Sequence, residues 1–186
     1  MINLENCKNV LMNFTATITK YGIVAKLFHW TIALILIFQI PFGFYLVDLD
    51  FSQERVDLEQ YHALGGIIIL YITILRLIWK LMTPSVLGND AFPFQKLIAK
   101  LSHGSMYLAV FLITTSGALK KMYMGEDVNF IFFQTSFGLN NFGLSDLFYE
   151  IHIYANYFLI ALIALHILAV IFHHVVLQDK ILKKML

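Results

Sequence analysis

His152 and His166 stand 14 residues apart in a stretch free of Lys, Arg, Asp and Glu, and His29 and His62 lie near the ends of two other apolar stretches. An interval of 14 residues is about 21 Å of α-helix and about 40° short of four full turns. The two imidazoles of one helix therefore face nearly the same way at two depths. Imidazole ligates metals through either ring nitrogen. Two axial imidazoles leave haem iron six-coordinate, with no open position for oxygen, which favours electron transfer over oxygen activation. Four neutral imidazoles facing inward at two levels would meet the needs of two bis-histidine haems, with His29, His62, His152 and His166 as the iron ligands. Taken singly, each is equally an interhelical hydrogen-bonding group or a histidine facing headgroups. The depth match across three helices is what favours ligation.

The elements that must position these residues are membrane spans. The chain has 186 residues, is 59% hydrophobic and only 13% charged, and has a mean hydropathy of +0.74. No soluble domain of this size needs so much apolar surface. Leu27–Val47, Leu101–Leu119 and Ile151–Leu177 carry no Lys, Arg, Asp or Glu, and Tyr61–Trp79 carries Arg76 alone. Each is long enough to cross a hydrocarbon core of about 30 Å. The expected fold is an all-α, four-helix transmembrane bundle with antiparallel neighbours.

Basic residues cluster at the N-terminus, between the second and third spans and at the C-terminus, leaving Arg55, Lys120 and Lys121 on the other side with most of the acids. The positive-inside rule then puts both termini in the cytoplasm. Residues 1–19 lack the apolar core and cleavage site of a signal peptide and read as a cytoplasmic tail before a four-span unit over 20–186. Cys7, the single cysteine, cannot form an intrachain disulfide, and this chain alone cannot attach a c-type haem through a cysteine pair or hold an iron–sulfur cluster. A net charge of +1 gives no nucleic-acid signal.

With that topology each histidine acquires a depth. His29 and His166 fall at the inner level, His62 and His152 at the outer level, so depth pairs His62 with His152 and His29 with His166. The same 14-residue interval recurs elsewhere: His29 leads to Gly43, His62 to Arg76 and His103 to Gly117. Glycine gives a haem plane room beside a backbone, and Gly65 and Gly66 could do likewise; ordinary small-residue helix packing accounts for the same glycines. Arg76 is an expensive intramembrane charge. Either it meets a haem propionate, which makes it a cofactor-binding candidate, or it snorkels to the headgroups. His173, seven residues after His166, lies near the same face about 10 Å further inward and is placed to carry protons at a quinone site. His174 faces the interface, and His103 is a neighbour of the inner haem, a quinone-site residue or an interfacial histidine.

Loops of roughly 13, 21 and 31 residues are expected between spans. Phe130, Phe132, Phe133, Phe137, Phe142, Phe148 and Tyr149 in the longest suit either a short re-entrant segment over the outer end or an aromatic belt at the lipid surface. Pro41 is expected to kink the first span.

Several stretches together resemble the bacterial cytochrome b561 family, four-helix di-haem proteins of the inner membrane related to the cytochrome b subunits of hydrogenases and formate dehydrogenases. They are Lys20-Tyr21 with His29-Trp30, His62-Ala-Leu-Gly-Gly with Leu75-Arg76-Leu77, Ser102-His103 with Tyr107, and the block from His152 through His166 to His173-His174 and Asp179. The resemblance implies two non-covalent b haems at His29, His62, His152 and His166, and electron exchange with ubiquinone. Some members are similar to superoxide:ubiquinone oxidoreductases, taking an electron from superoxide at the outer face. His173 matches a family histidine near the quinone end. One departure counts against superoxide: the outer loop Asp48–Gln60 carries five carboxylates against Arg55, a potential that disfavours an anion unless Lys120 and Lys121 shape a local positive entrance.

Three functional classes follow. The first is a transmembrane electron-transfer cytochrome with the lipid bilayer, quinone and an unidentified periplasmic donor as partners. The second is a haem-bearing anchor for a hydrogenase-type or formate dehydrogenase-type complex. The third, a haem-free metal or proton transporter, lacks the intramembrane carboxylates such a pathway usually uses.

Overall fold

The computed structural model describes residues 21–83, 93–138, 140–178 and 181–185; the tail at 1–19, with Cys7, and Pro84 in the loop after the second span lie outside them. Four long helices form the fold: α1 (Ile23–Asp48), α2 (Gln53–Met82), α3 (Pro93–Tyr123) and α4 (Phe142–Val175). All four are long and apolar enough to cross a membrane. A two-stranded antiparallel hairpin, β1 (Val128–Asn129) and β2 (Gln134–Thr135), joins α3 to α4, pairing Val128 with Thr135 and Asn129 with Gln134. A short α5 (Ile181–Met185) follows α4, and Met185 accepts a hydrogen bond from Trp30 Nε1 of α1 at 3.1 Å. One end of the bundle thus carries the hairpin, and the other carries α5 and the start of α1.

The helices outrun the charge-free stretches. Ser52 caps α2 by accepting from the Arg55 N–H at 3.2 Å, with Glu54 in the first turn, where a carboxylate favours the exposed amides. Gln53 then bonds Asp57 at 3.0 Å and Arg55 bonds Glu59 at 3.0 Å, both one turn apart. The expected 13-residue acidic loop therefore shrinks to a turn at 49–52, and most of its carboxylates lie in the first turns of α2. Asn141 caps α4 in the same way, accepting from the Leu144 N–H at 3.1 Å. Pro41 lies inside α1, which continues through it as one helix.

Large apolar side chains cover the outside: Leu34, Ile37, Phe38, Leu101, Leu108, Leu165 and Leu168 are all exposed. In water such a surface would aggregate; in a bilayer it is the lipid face. The interior is thin and centred on Ile69, Ala109, Val110 and Leu159, with Leu36 packed against them. Four of these share one rule. Leu36, Ile69, Val110 and Leu159 each stand seven residues, about two helical turns, from both members of that helix's 14-residue pair: His29 and Gly43, His62 and Arg76, His103 and Gly117, His152 and His166. The repeated interval thus builds an apolar waist between two polar levels. Leu159 is 2% exposed at its centre. Lipid resembles leucine, so Leu159→Ala forfeits mainly packing around a cavity; we expect a loss of about 1–3 kcal/mol in detergent-unfolding equilibria, against no change for the lipid-facing Leu165→Ala.

Two tiers of histidine

At the hairpin end the four positions level with one another are Gly43 on α1, His62 on α2, Gly117 on α3 and His152 on α4. The His62 and His152 rings oppose each other with centroids 6.3 Å apart and planes at 73°. His152 Nδ1 lies 2.8 Å from the Ile113 carbonyl. A carbonyl only accepts, so Nδ1 carries the hydrogen and Nε2 keeps its lone pair, the tautomer a metal ligand needs. Gly117, one turn beyond Ile113 on α3, permits that approach: a Cβ there would stand 3.0 Å from His152 Nδ1. Gly43 does the same for the other ring, where a Cβ would meet His62 Cε1 at 3.1 Å. These two glycines therefore give the imidazoles room beside the α1 and α3 backbones.

Sequence reasoning missed Gln39. Its Nε2 donates to the His62 carbonyl at 2.5 Å, and it packs on Gly65, where a Cβ would meet Gln39 Oε1 at 2.6 Å. Gly65 thus serves α1–α2 packing, whereas Gly66 has nothing within 4 Å of its Cβ position among the described residues and opens on a cavity. The signal for Gln39 was present, one turn before Gly43 in an otherwise apolar span. The cavity, about 230 Å³, is lined by both histidines, Gly43, Gly66, Gly117 and Asn156, and at its mouth by Arg55, Glu59, Lys120 and Lys121.

At the other end the level residues are His29, Arg76, His103 and His166. His29 and His166 face each other at 6.4 Å between centroids with planes at 61°, and His103 stands 5.9 Å from His166. Arg76 turns inward: Nη2 lies 3.1 Å from His29 Nδ1, and its guanidinium is 5.7 Å from the centroid of the Tyr107 ring, which Lys80 also approaches, at 4.9 Å. A guanidinium only donates, so the contact uses the Nδ1 lone pair of His29 and leaves hydrogen on Nε2. The two contacts thus set opposite tautomers: His152 keeps its lone pair on Nε2 and His29 uses its Nδ1 lone pair on Arg76. His173, in the last turn of α4, is half-buried with its ring edge-on to Phe172 at 6.2 Å, and His174 is exposed.

Two imidazoles on one metal at about 2.0 Å from each nitrogen would bring their centroids to about 6.3 Å; His62 with His152 stands at 6.3 Å, His29 with His166 at 6.4 Å and His103 with His166 at 5.9 Å, spacings at which a haem iron would be held at either level. His62 Nδ1 is buried without a hydrogen-bond partner among the described residues, a cost that something at this site must offset. Among those residues no three His, Cys, Asp or Glu side chains converge as they would on a bare metal ion; a pair of imidazoles would suit a centre whose other four donors come from a porphyrin.

A bundle of four membrane-crossing helices built around opposed imidazoles is the architecture of a membrane cytochrome b. The pattern of the prokaryotic cytochrome b561 family matches residues 20–186, and the chain belongs to that family. It is 26% identical over 179 residues to cytochrome b561 homolog 2 of Escherichia coli strain K12, an alignment covering 94% of this chain and 95% of that protein. The family carries b-type haem, and the chain is accordingly a multi-pass protein of the bacterial inner membrane that takes part in haem-mediated electron transfer.

The Gly117 contact yields a steric prediction. Gly117→Val should push the His152 ring off the Ile113 carbonyl and cut bound haem to about half that of the unaltered protein, with Gly117→Ala intermediate, as read by pyridine haemochrome against protein.

Proposed function

We propose that the unit over residues 20–186, preceded by a cytoplasmic tail at 1–19, passes single electrons across the membrane from a donor at the hairpin end to ubiquinone at the terminal end, and so acts as an oxidoreductase. The observation that carries this reading is the double match of ring separation at two levels. Two b haems held by His62 with His152 and by His29 with His166 would supply one-electron carriers at the two depths. Arg76 and Lys80 would meet the propionates at the terminal end; among the described residues neither has a carboxylate within 4.0 Å. The concentration of lysines at that end supports a cytoplasmic orientation for both termini and a periplasmic hairpin.

Superoxide as the periplasmic donor is supported by the charge of the cavity mouth. Asp48, Asp50, Glu54 and Asp57 are absent from the cavity lining, while Arg55, Lys120 and Lys121 are in it with Glu59 alone of the acids. Glu59 is shared between Arg55 at 3.0 Å and Lys120 at 4.0 Å, and Lys121 pairs with Glu126. The lining itself carries three cations against Glu59, a local balance that favours an anion at the mouth. At the terminal end each quinone accepts two electrons and two protons, and His173 is the group we assign to carrying those protons from the cytoplasm.

The test uses the full chain in liposomes containing ubiquinone. Superoxide generated outside should raise a b-type α-band that decays as quinone is reduced. His173→Gln should slow that decay severalfold while haem content and the reduction phase stay unchanged. Protein without a b-type band would end the reading; a His173→Gln variant with unaltered decay would remove His173 from it.

A further inference from the structure

The connection between α3 and α4 behaves unlike a water-exposed loop. No charged residue occurs from Val128 to Ser145. The hairpin turns down the side of the bundle: Val128 is 1% exposed against Ile67 of α2 and Met122 of α3 and closes one wall of the hairpin-end cavity. Beyond it, the Tyr71 hydroxyl donates to the Phe130 carbonyl at 3.0 Å, and the Tyr71 and Phe132 rings lie 6.0 Å apart. Tyr71 is about 18 Å along α2 from Glu59, the last charged residue at that end, so the tip reaches toward the middle of the span.

Three features of the tip share one chemistry. Part of its backbone is paired close at hand: the Phe130 N–H donates to the Phe133 carbonyl at 2.9 Å, the Ile131 N–H donates to Asn129 Oδ1 at 2.8 Å, and the Phe130 carbonyl accepts from Tyr71 of α2. Its side chains point away from the protein; Ile131 and Phe133 are about half exposed and Phe132 is 83% exposed. Ile131 also holds φ at 74°, where glycine would be relaxed and a β-branched residue is strained. Bare apolar side chains on a charge-free tip, over a backbone whose Phe130 and Ile131 groups are paired, suit a segment that meets hydrocarbon rather than water.

We propose that the hairpin is a re-entrant finger whose tip, Ile131 to Phe133, is embedded among the acyl chains of the leaflet at the hairpin end. The proposal goes beyond electron transfer and does not depend on haem. It is tested on the full chain in phosphatidylcholine nanodiscs, in a Cys7→Ser background, with a nitroxide on Phe132→Cys or Phe133→Cys. Collision with oxygen, which concentrates in lipid, should exceed collision with a water-soluble nickel chelate severalfold at both sites. Phe51→Cys, in the α1–α2 turn and 88% exposed, should show the reverse. Nickel accessibility at the tip like that at Phe51 would place the hairpin in water and overturn the proposal. Protection from both reagents would overturn it too, showing the tip covered by protein such as a second copy of the chain. Phe133→Cys reads the same tip if Phe132→Cys fails to yield folded protein.

Discussion

An imidazole inside a bilayer has to find a partner, and the order of this bundle follows from that requirement. Hydrocarbon offers neither donors nor acceptors, so each histidine must meet another side chain, a carbonyl or a metal. Four helices satisfy this at two levels because each repeats its polar or glycine position after 14 residues, close enough to four turns to keep one face inward. The repeat also fixes what lies between. Leu36, Ile69, Val110 and Leu159 come at the half-interval and form the waist. Chemistry at two depths and packing at a third therefore share one helical register, and a slip in one helix would disturb all three.

The two levels are built differently. At the hairpin end His152 is held ligand-ready by the Ile113 carbonyl, Gly43 and Gly117 clear space for the rings, and the cavity mouth mixes three cations with Glu59. At the terminal end His29 shares its Nδ1 with Arg76, a third imidazole, His103, stands beside His166, and Tyr107 lies under two cations. One level has its tautomer set by a helix carbonyl, the other by a guanidinium. Such a difference in surroundings would give haems held at the two levels different electronic properties.

Much of this was legible in the residues. Spans could be read from the charge-free stretches, and the pairing of His62 with His152 and His29 with His166 from depth alone, because helical rise converts sequence interval directly into distance. Gly43, Gly117 and Arg76 stood out by the same interval; the glycines lie beside the His62 and His152 rings, and Arg76 reaches His29. Helix ends were less legible. The acidic stretch after Asp48 looked like a loop because charge excludes it from hydrocarbon, yet charge does not stop a helix; Ser52 and the i,i+4 pairs continue it in water. Gln39, the Ile113 carbonyl and the descent of the hairpin onto Tyr71 depend on side-chain reach and on how two helices meet, which no interval along the chain reports.

The central claim is that opposed histidines at two depths hold separate haems. The most direct measurement is the haem-to-protein ratio of the purified chain beside His62→Ala and His166→Ala. Two haems in the unaltered protein, falling to one in each variant and to none in the double variant, is the result this arrangement predicts. An unchanged ratio in either single variant, or no haem in the unaltered protein, would contradict it.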